Sequence, residues 1–376
     1  MTYYYILFLL AIVLGFVLHT FRYRLLVNQS NSAFSLFIST PSKKEAPKSS
    51  KIYLFIIFFL AALLIGLRSI DVGLDSHGYV SEYFDSVGEN GVFQGSPEIV
   101  LNLIAGAVHV FRGDYHVFFI VHGLIVSFLI SRFIYYNSSN FLLSVIVFLG
   151  MFFIQSMNLM REWLALAFGL NFYSCFSKKQ TKRAVIYFVL AVLSHLTAVS
   201  LILIPIFWKI RDRKARLISL VVFLLLVFVL KDYLILLVIK VVPRYQGYMT
   251  YDGFLNSGEF NIKDLIFIAI ATMTGYILYT QKSSLIKNNL YDIYFGYLLL
   301  IIISIAFSFC GQKYGIFHRV VYYYSSFLIV ILPDLLLRIK SRNIVCVFLI
   351  FAMFIMLYRN AVSDNNGISD YSFFWQ

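Results

Sequence analysis

Charged residues are scarce in this sequence. Asp, Glu, Lys and Arg make up 13% of its 376 residues, whereas soluble domains carry about 25%. The chain has only three cysteines, Cys175, Cys310 and Cys346, and their spacing is that of neither a disulfide framework nor a zinc site. A glycine-rich nucleotide loop, a nucleophilic serine elbow and an HExxH motif are missing. We therefore expect neither cofactor nor metal, and these absences argue against an ATP-driven pump and the common hydrolases.

Apolar residues take the place of the missing charges. They make up 60% of the sequence, and the mean hydropathy is +0.82. Several apolar runs reach the roughly 18 to 20 residues that a helix needs to cross the hydrocarbon core. Because a helix satisfies its own backbone hydrogen bonds in lipid, the sequence predicts an all-α, polytopic transmembrane helix bundle. The first run, Tyr3 to Thr20, lacks the basic start and cleavage site of a signal peptide, so we expect it to be retained as a span.

The apolar runs predict about ten spans. Polar residues interrupt the run 184–208, which predicts a bent helical hairpin, and the short run 98–111 predicts a helix at the outer interface. We expect a single integral membrane domain, 1–376, with a cytoplasmic loop at 22–51 and extracytoplasmic loops at 68–114 and 243–264. The predicted spans are 3–21, 52–67, 115–133, 141–157, 159–176, 217–242, 265–281, 291–310, 320–337 and 343–358.

The formal net charge of +13 is explained by this topology. A nucleic-acid surface would need a basic face with stacking aromatics, and none is visible. Lys and Arg collect in the cytoplasmic loops of membrane proteins. The loops assigned to the inside hold 21 of them against 4 acidic residues, and the loops assigned to the outside hold 8 against 13. Lys231 and Asp232 leave one alternative open, in which a shorter span ends there and a second interfacial piece follows.

With this topology, polar residues that are unusual near a membrane converge on the outer side. Charged groups are costly at membrane depth, so those kept at helix ends are functional candidates. Asn158 and Arg161 are spaced i, i+3, which predicts that they share one helix face. The candidate site residues are Arg68, Asp75, Tyr79, Glu98, Asn158, Arg161, His195, Arg244, His318 and Arg319.

The four arginines of this set suit a phosphate ligand. A guanidinium group binds phosphate oxygens through two parallel hydrogen bonds and keeps its charge in a low-dielectric setting. We expect Arg68, Arg161, Arg244 and Arg319 to hold a lipid-linked pyrophosphate. Simpler interpretations stay open from the residues alone: arginines that snorkel to the interface or cap a span, a histidine that only packs, and an interfacial tyrosine belt.

The order of these motifs resembles that of the EpsG-like, Wzy-type bacterial polysaccharide polymerases, over most of the chain. Arg68, Gly73, Asp75 and Tyr79 fit an R-x-x-x-x-G-x-D-x-x-x-Y pattern, and Glu98 precedes the following helix. The remaining matches are Asn158, Arg161 and Ala165 in N-x-x-R-x-x-x-A, the basic run Lys178 to Arg183, the step from Ala191 to His195, and His318 with Arg319 before Tyr322, Tyr323 and Tyr324.

The resemblance implies a membrane glycosyltransferase with a GT-C-like fold in the bacterial cytoplasmic membrane. Such proteins join oligosaccharide repeat units linked to undecaprenyl pyrophosphate, outside the membrane, into O-antigen, capsule or exopolysaccharide. A flippase and a chain-length regulator are the protein partners that this role implies. Glu98, Asn158, Tyr79 and His318 are then expected to contact the substrate, and Asp75 or His195 to accept the proton of the acceptor hydroxyl. The alternatives are a lipid-linked saccharide flippase or other transporter, a polysaccharide ligase and an acyltransferase.

Overall fold

The computed structural model describes residues 1–24, 48–92, 97–241, 246, 262–339, 341–363 and 367–376. The prediction of an all-helical fold is confirmed for these residues, which form helices and no strand. An isolated antiparallel bridge pairs Arg68 with Phe373. The predicted loop 243–264, including Arg244, lies largely outside the described residues, as does most of the predicted loop 22–51.

The described residues pack as two compact units, where the sequence predicts a single domain. The first unit comprises Met1–Leu196 with Leu328–Gln376, and the second comprises Thr197–Phe327. The α-helices of the first unit are Thr2–Arg24, Lys48–Gly66, Ser76–Tyr79, Ser86–Asn90, Ile99–Val110, Tyr115–Asn137, Phe141–Met151, Phe153–Asn158, Met160–Ser177, Thr181–Ser194, Leu328–Leu336 and Arg342–Val362, with a π-helical turn at Val80–Asp85. Those of the second unit are Leu203–Trp208, Arg213–Val241, Ile262–Thr280, Lys282–Lys287, Tyr291–Gly311 and Ile316–Ser325, and a 3-10 helix, Leu196–Ile202, lies at the unit boundary.

The long apolar helices identify a membrane protein. By length and composition, five helices of the described residues can cross a membrane, or six if the consecutive pair Ile316–Ser325 and Leu328–Leu336 is one broken span. The count of about ten spans therefore stays a prediction, although each predicted span coincides with a helix or a helix pair. The five helices are Ser49–Gly66, Tyr115–Asn137, Arg213–Lys240, Tyr291–Gly311 and Asn343–Val362.

The helices break at places that their apolar runs do not reveal. The run 141–157 forms two helices that meet at Phe152, and the predicted hairpin 184–208 begins with a helix that ends at Ser194, because His195 has an extended backbone (φ −162°, ψ 127°). At Lys231 and Asp232, by contrast, the helix does not break. There the chain stays helical from Arg213 to Val241, and the alternative that a shorter span ends at these residues stays a prediction.

Close helix packing and a backbone clasp hold the loop that begins at Leu67. A Cβ atom on Gly123 would lie 2.9 Å from the carbonyl oxygen of Ala62, so glycine allows the Lys48–Gly66 and Tyr115–Asn137 helices to approach closely. The segment 367–376 then returns along the loop. Ser69 N–H donates to the Ser372 carbonyl (2.9 Å), Gly73 N–H to Gly367 (2.8 Å) and Phe374 N–H to Leu67 (3.0 Å).

Candidate active site

A break between two consecutive helices places two charged residues at the start of a buried helix. Leu159 leaves helical geometry (φ −91°, ψ 65°), so the Met160–Ser177 helix begins directly after it. Arg161 and Glu162 lie in its first turn. Asn158 is instead the last residue of the preceding helix. The prediction that Asn158 and Arg161 share one helix face is therefore wrong, because the two residues belong to different helices.

Arg161 is held by two side chains that come from different parts of the chain. Its Nη1 donates to the hydroxyl of Tyr83 (3.0 Å) and to Oε1 of Glu98 (3.3 Å). The Tyr83 hydroxyl in turn donates to Oε2 of Glu98 (3.0 Å). Tyr83 comes from the π-helical turn, and Glu98 immediately precedes the Ile99–Val110 helix. These three hydrogen bonds close a triangle that fixes both the guanidinium and the carboxylate.

His195 lies between two carboxylates. Its Nδ1 is 3.4 Å from Oε1 of Glu98, and its Nε2 is 3.7 Å from Oε1 of Glu162. The helix that precedes His195 packs against both the Met160–Ser177 and the Ile99–Val110 helices, which carry or adjoin the two glutamates. Because the backbone turns extended at His195, the ring stands at the end of its helix. We name Tyr83, Glu98, Arg161, Glu162 and His195 together the Arg161 cluster.

Burial makes the charge balance of this cluster important. The side chains of Glu162 and His195 are 3% exposed, that of Glu98 is 8% exposed, and that of Arg161 is the most accessible of the four at 17%. Charges removed from water persist only when they are paired. One arginine faces two glutamates, with Nε of Arg161 3.8 Å from Glu162. The cluster is therefore neutral when His195 carries a proton and has one negative charge when it does not.

Asn158 connects the cluster to the turn that carries Asp75. The Asp75 N–H donates to Oδ1 of Asn158 (3.0 Å). The turn requires glycine at position 73 for two reasons. Gly73 has a φ of +98°, which other residues rarely adopt, and a Cβ atom there would lie 2.9 Å from Ser76 Oγ. Asp75 is exposed, whereas Tyr79, one turn later, is buried with its ring centroid 5.8 Å from that of Tyr83. The structure thus brings Asn158 into contact with the segment of Asp75 and Tyr79, which adjoins the cluster.

Arg68 has different surroundings. It is fully buried, its Nη1 donates to the Ile65 carbonyl (3.3 Å), and its guanidinium lies 4.6 Å from the centre of the Phe119 ring. Burial lowers the pKa of Arg68 to about 10. Among the described residues, Nε and Nη2 of Arg68 have no hydrogen-bond partner. Its described neighbours are therefore an aromatic ring, a backbone carbonyl and the phenol groups of Tyr4, Tyr79 and Tyr371.

His318 and Arg319 belong to the second unit. They lie on the Ile316–Ser325 helix, where the His318 ring packs against Gly311, so that a Cβ atom at Gly311 would lie 2.7 Å from Nδ1. Further along, the Tyr324 hydroxyl donates to the Ser200 carbonyl (2.6 Å) and Thr197 Oγ1 donates to the Tyr323 hydroxyl (3.3 Å). Two tyrosines of the predicted aromatic block thus have hydrogen-bond partners within their own unit.

Two cluster members were not among the predicted site residues. Glu162 follows Arg161 directly, and its position in a polar patch between two apolar runs was the available signal. Tyr83 lies four residues after Tyr79, which is one helical turn, but tyrosine is so frequent in this chain (27 residues) that no single one stands out. Within the described part of the chain, no group of three or more His, Cys, Asp or Glu side chains could hold a metal ion.

Comparison with known proteins identifies a family. The sequence model of the EpsG family matches residues 51–373, a range that contains every residue of the Arg161 cluster and every predicted site residue. Neither a curated protein nor a solved structure matches the chain. The expected GT-C-like fold therefore stays a prediction.

Proposed function

The chain belongs to the EpsG family, which has a polymerase-type role in polysaccharide biosynthesis, and we propose that it is a membrane glycosyltransferase that polymerises repeat units. Its substrates are oligosaccharides linked to undecaprenyl pyrophosphate, and it acts at the outer face of the bacterial cytoplasmic membrane. The product is an O-antigen, capsule or exopolysaccharide chain.

The observation that carries the proposal is the setting of Arg161. Its guanidinium is anchored through Nη1 by Tyr83 and Glu98, and its side chain is 17% exposed in an otherwise buried cluster. An arginine that is fixed at one end and accessible at the other can meet an anionic ligand without reorganising, and such preorganised charge is the main means of stabilising a leaving group. This setting supports a role for Arg161 in binding the pyrophosphate of the donor.

The reaction joins two substrates. A hydroxyl oxygen of the acceptor attacks the anomeric carbon of the donor sugar, the bond from that carbon to the phosphate oxygen breaks, and the pyrophosphate leaves with the electron pair. The acceptor proton passes to a base. Asp75 and His195 are the rival bases: Asp75 is exposed on the adjoining turn, and His195 is buried beside two carboxylates. Because a buried histidine flanked by carboxylates is stabilised when it gains a proton, we favour His195.

The other predicted residues keep proposed roles in substrate binding. Asn158 and Tyr79, which come from different segments, both lie next to the cluster, and Glu98 anchors Arg161 directly. Arg68, Arg244, His318 and Arg319 remain proposed contacts for the pyrophosphate or the saccharide. Two glutamates offset the charge of Arg161, so the cluster has no net positive charge. Binding of an anionic substrate therefore needs further cations.

The test replaces the planar fork of Arg161 by a point charge. In purified protein reconstituted into liposomes with lipid-linked repeat units, we expect Arg161→Lys to lower the polymerisation rate by about tenfold or more, because Lys lacks the rigid planar fork in which one nitrogen holds Tyr83 and Glu98 while another can meet the phosphate. Unpolymerised repeat units then accumulate. Arg359→Lys is the matched control: Arg359 is exposed at the end of the last long helix, and its replacement should leave chain length unchanged.

Polymer length on gels and extracted lipid-linked intermediates are measured at matched protein levels. Full-length polymer from Arg161→Lys would overturn the role of Arg161 in binding pyrophosphate. Transfer of labelled repeat units across the liposome membrane, with no glycosidic bond formed by the wild-type protein, would overturn the polymerase in favour of a transporter.

A further inference from the structure

The two ring nitrogens of His195 face the same kind of group. Nδ1 faces Glu98 and Nε2 faces Glu162, at 3.4 Å and 3.7 Å. A neutral imidazole has one N–H donor and one acceptor nitrogen, whereas an ionised carboxylate only accepts. An imidazolium, with two donors, satisfies both contacts. The geometry is therefore complementary to the protonated ring and less so to the neutral one.

We propose that Glu162 is a positioning residue that prepares His195 to accept the proton of the acceptor hydroxyl, and that this proton is held as an imidazolium between Glu98 and Glu162. The inference rests on the proposed polymerase function and adds Glu162, a residue that is not among the predicted site residues. Glu162 acts through His195 and does not itself need to touch the substrate.

The reaction releases a proton that a base must take up. The acceptor hydroxyl loses its proton when its oxygen bonds to the anomeric carbon, and the pyrophosphate leaves as an anion that takes only the electron pair. One proton stays behind for each bond formed. With neutral His195 the Arg161 cluster has one negative charge, and the added proton makes it neutral. The proton then leaves to water before the next cycle.

Two carboxylates are among the described contacts of His195, and both of them also contact one cation, Arg161. The element before the Ile99–Val110 helix contributes Glu98, and the Met160–Ser177 helix contributes Glu162 and Arg161. Arg161 opposes proton uptake and also binds Glu98 through Nη1 (3.3 Å), so the charge of Glu98 is largely committed to the arginine. Glu162 lies farther from Arg161, at 3.8 Å, and its carboxylate faces Nε2 of His195 at 3.7 Å.

The discriminating variant is Glu162→Gln, which keeps the shape of the side chain and removes its charge. The neutral form of a base supports the rate, so activity rises with pH as His195 loses its proton. Removing a flanking negative charge destabilises the imidazolium, and we expect the acid limb of the pH–rate profile to move to lower pH by about one unit or more. The limiting kcat should fall about tenfold with little change in KM. Glu162→Asp, which withdraws the carboxylate by one methylene, should fall between Glu162→Gln and the wild type.

A second measurement is independent of activity. Histidine labelled with ¹⁵N in the full-length protein in bilayers reports the protonation of each ring by solid-state NMR, and the signal absent from His195→Gln identifies residue 195. The pH at which this signal loses its proton should be lower in Glu162→Gln, or in Glu162→Asp if the first variant does not fold, than in the wild type. Asp334→Asn is the control, because Asp334 is a buried carboxylate whose described partner is Ser139.

The outcomes separate the inference from the function on which it rests. A wild-type protein that forms no polymer from lipid-linked repeat units would overturn the proposed function. A polymerising wild type whose pH–rate profile and His195 signal are unchanged by Glu162→Gln or Glu162→Asp would overturn only the role of Glu162. A fall in kcat without a shift of the acid limb would also overturn it, because Glu162 would then affect the structure of the site without affecting the protonation of His195.

Discussion

Arg68 and Arg161 were predicted from the same kind of pattern, yet their surroundings differ. Arg161 is partly accessible, and two glutamates and a tyrosine surround it. Arg68 is fully buried against the Phe119 ring and a backbone carbonyl, beneath the segment 367–376 that bridges to its own backbone. An arginine among carboxylates balances charge and can respond to a ligand, whereas an arginine against apolar groups contributes mainly packing.

The largest expected effect comes from replacing each arginine by methionine in a separate variant, which removes its charge. In Arg161→Met, Glu98 and Glu162 stay buried without their cation, and we expect the free energy of unfolding to fall by about 2 to 3 kcal/mol. In Arg68→Met, the lost hydrogen bond and ring contact are offset by relief from burying a charge with no described carboxylate partner, so we expect a change below about 1 kcal/mol.

Unfolding of purified protein by denaturing detergent, followed by tryptophan fluorescence, measures both changes. The comparison would be wrong if Arg68→Met were as damaging as Arg161→Met, since that result would require a counter-charge for Arg68. Arg68→Ala serves as a control on packing: it leaves a cavity beside Phe119 and should be clearly less stable than Arg68→Met.

The sequence predicts the helices well because a continuous apolar run of about 20 residues crosses lipid as a helix, which satisfies its own backbone hydrogen bonds. It also predicts that Glu98, Arg161 and His195 lie on one side, and the structure brings these three together. The breaks at Leu159 and His195 are less predictable, because no proline or glycine marks them and packing with other helices decides them. Sequence alone also does not distinguish Arg68 from Arg161, since the accessibility of each depends on segments far away in the chain, such as 367–376 for Arg68.

Tyr83 provides the next test, since it links the arginine to the glutamate. Tyr83→Phe removes a hydroxyl that accepts from Arg161 and donates to Glu98, and we expect the polymerisation rate to fall about tenfold, with about 1 to 2 kcal/mol lost from stability. Tyr53→Phe is the matched control. It loses a buried hydroxyl bonded to the Ala11 carbonyl (3.1 Å) and should cost similar stability at full activity. Equal activities of the two variants would mean that Tyr83 contributes only stability and does not orient Arg161.

The smallest expected effect lies at the edge of the Arg68 region. Asp114 caps the Tyr115–Asn137 helix by accepting hydrogen bonds from the backbone N–H groups of His116 and Val117, both at 3.1 Å. The His116 ring lies 4.1 Å from that of Phe374 in the segment 367–376, so the cap also supports the clasp over Arg68. Asp114→Ala should cost about 1 kcal/mol, whereas Asp114→Asn keeps a capping oxygen and should cost only a few tenths of a kcal/mol.

The charge of this cap can be separated from its hydrogen bonds by pH. Burial alone would raise the pKa of Asp114, but hydrogen bonds from His116 and from the Val117 N–H outweigh it and hold the pKa below its usual 3.8. A carboxyl group with a lowered pKa stabilises the folded state above its ordinary pKa, and this stabilisation is lost as the pH falls through the lowered value. The stability difference between wild type and Asp114→Asn should therefore be present at pH 7 and shrink below about pH 3.8, whereas that between Asp114→Asn and Asp114→Ala should persist. Thermal unfolding of the three proteins in detergent at both pH values measures this, and a wild-type advantage that survives at low pH would assign the effect to shape instead of charge.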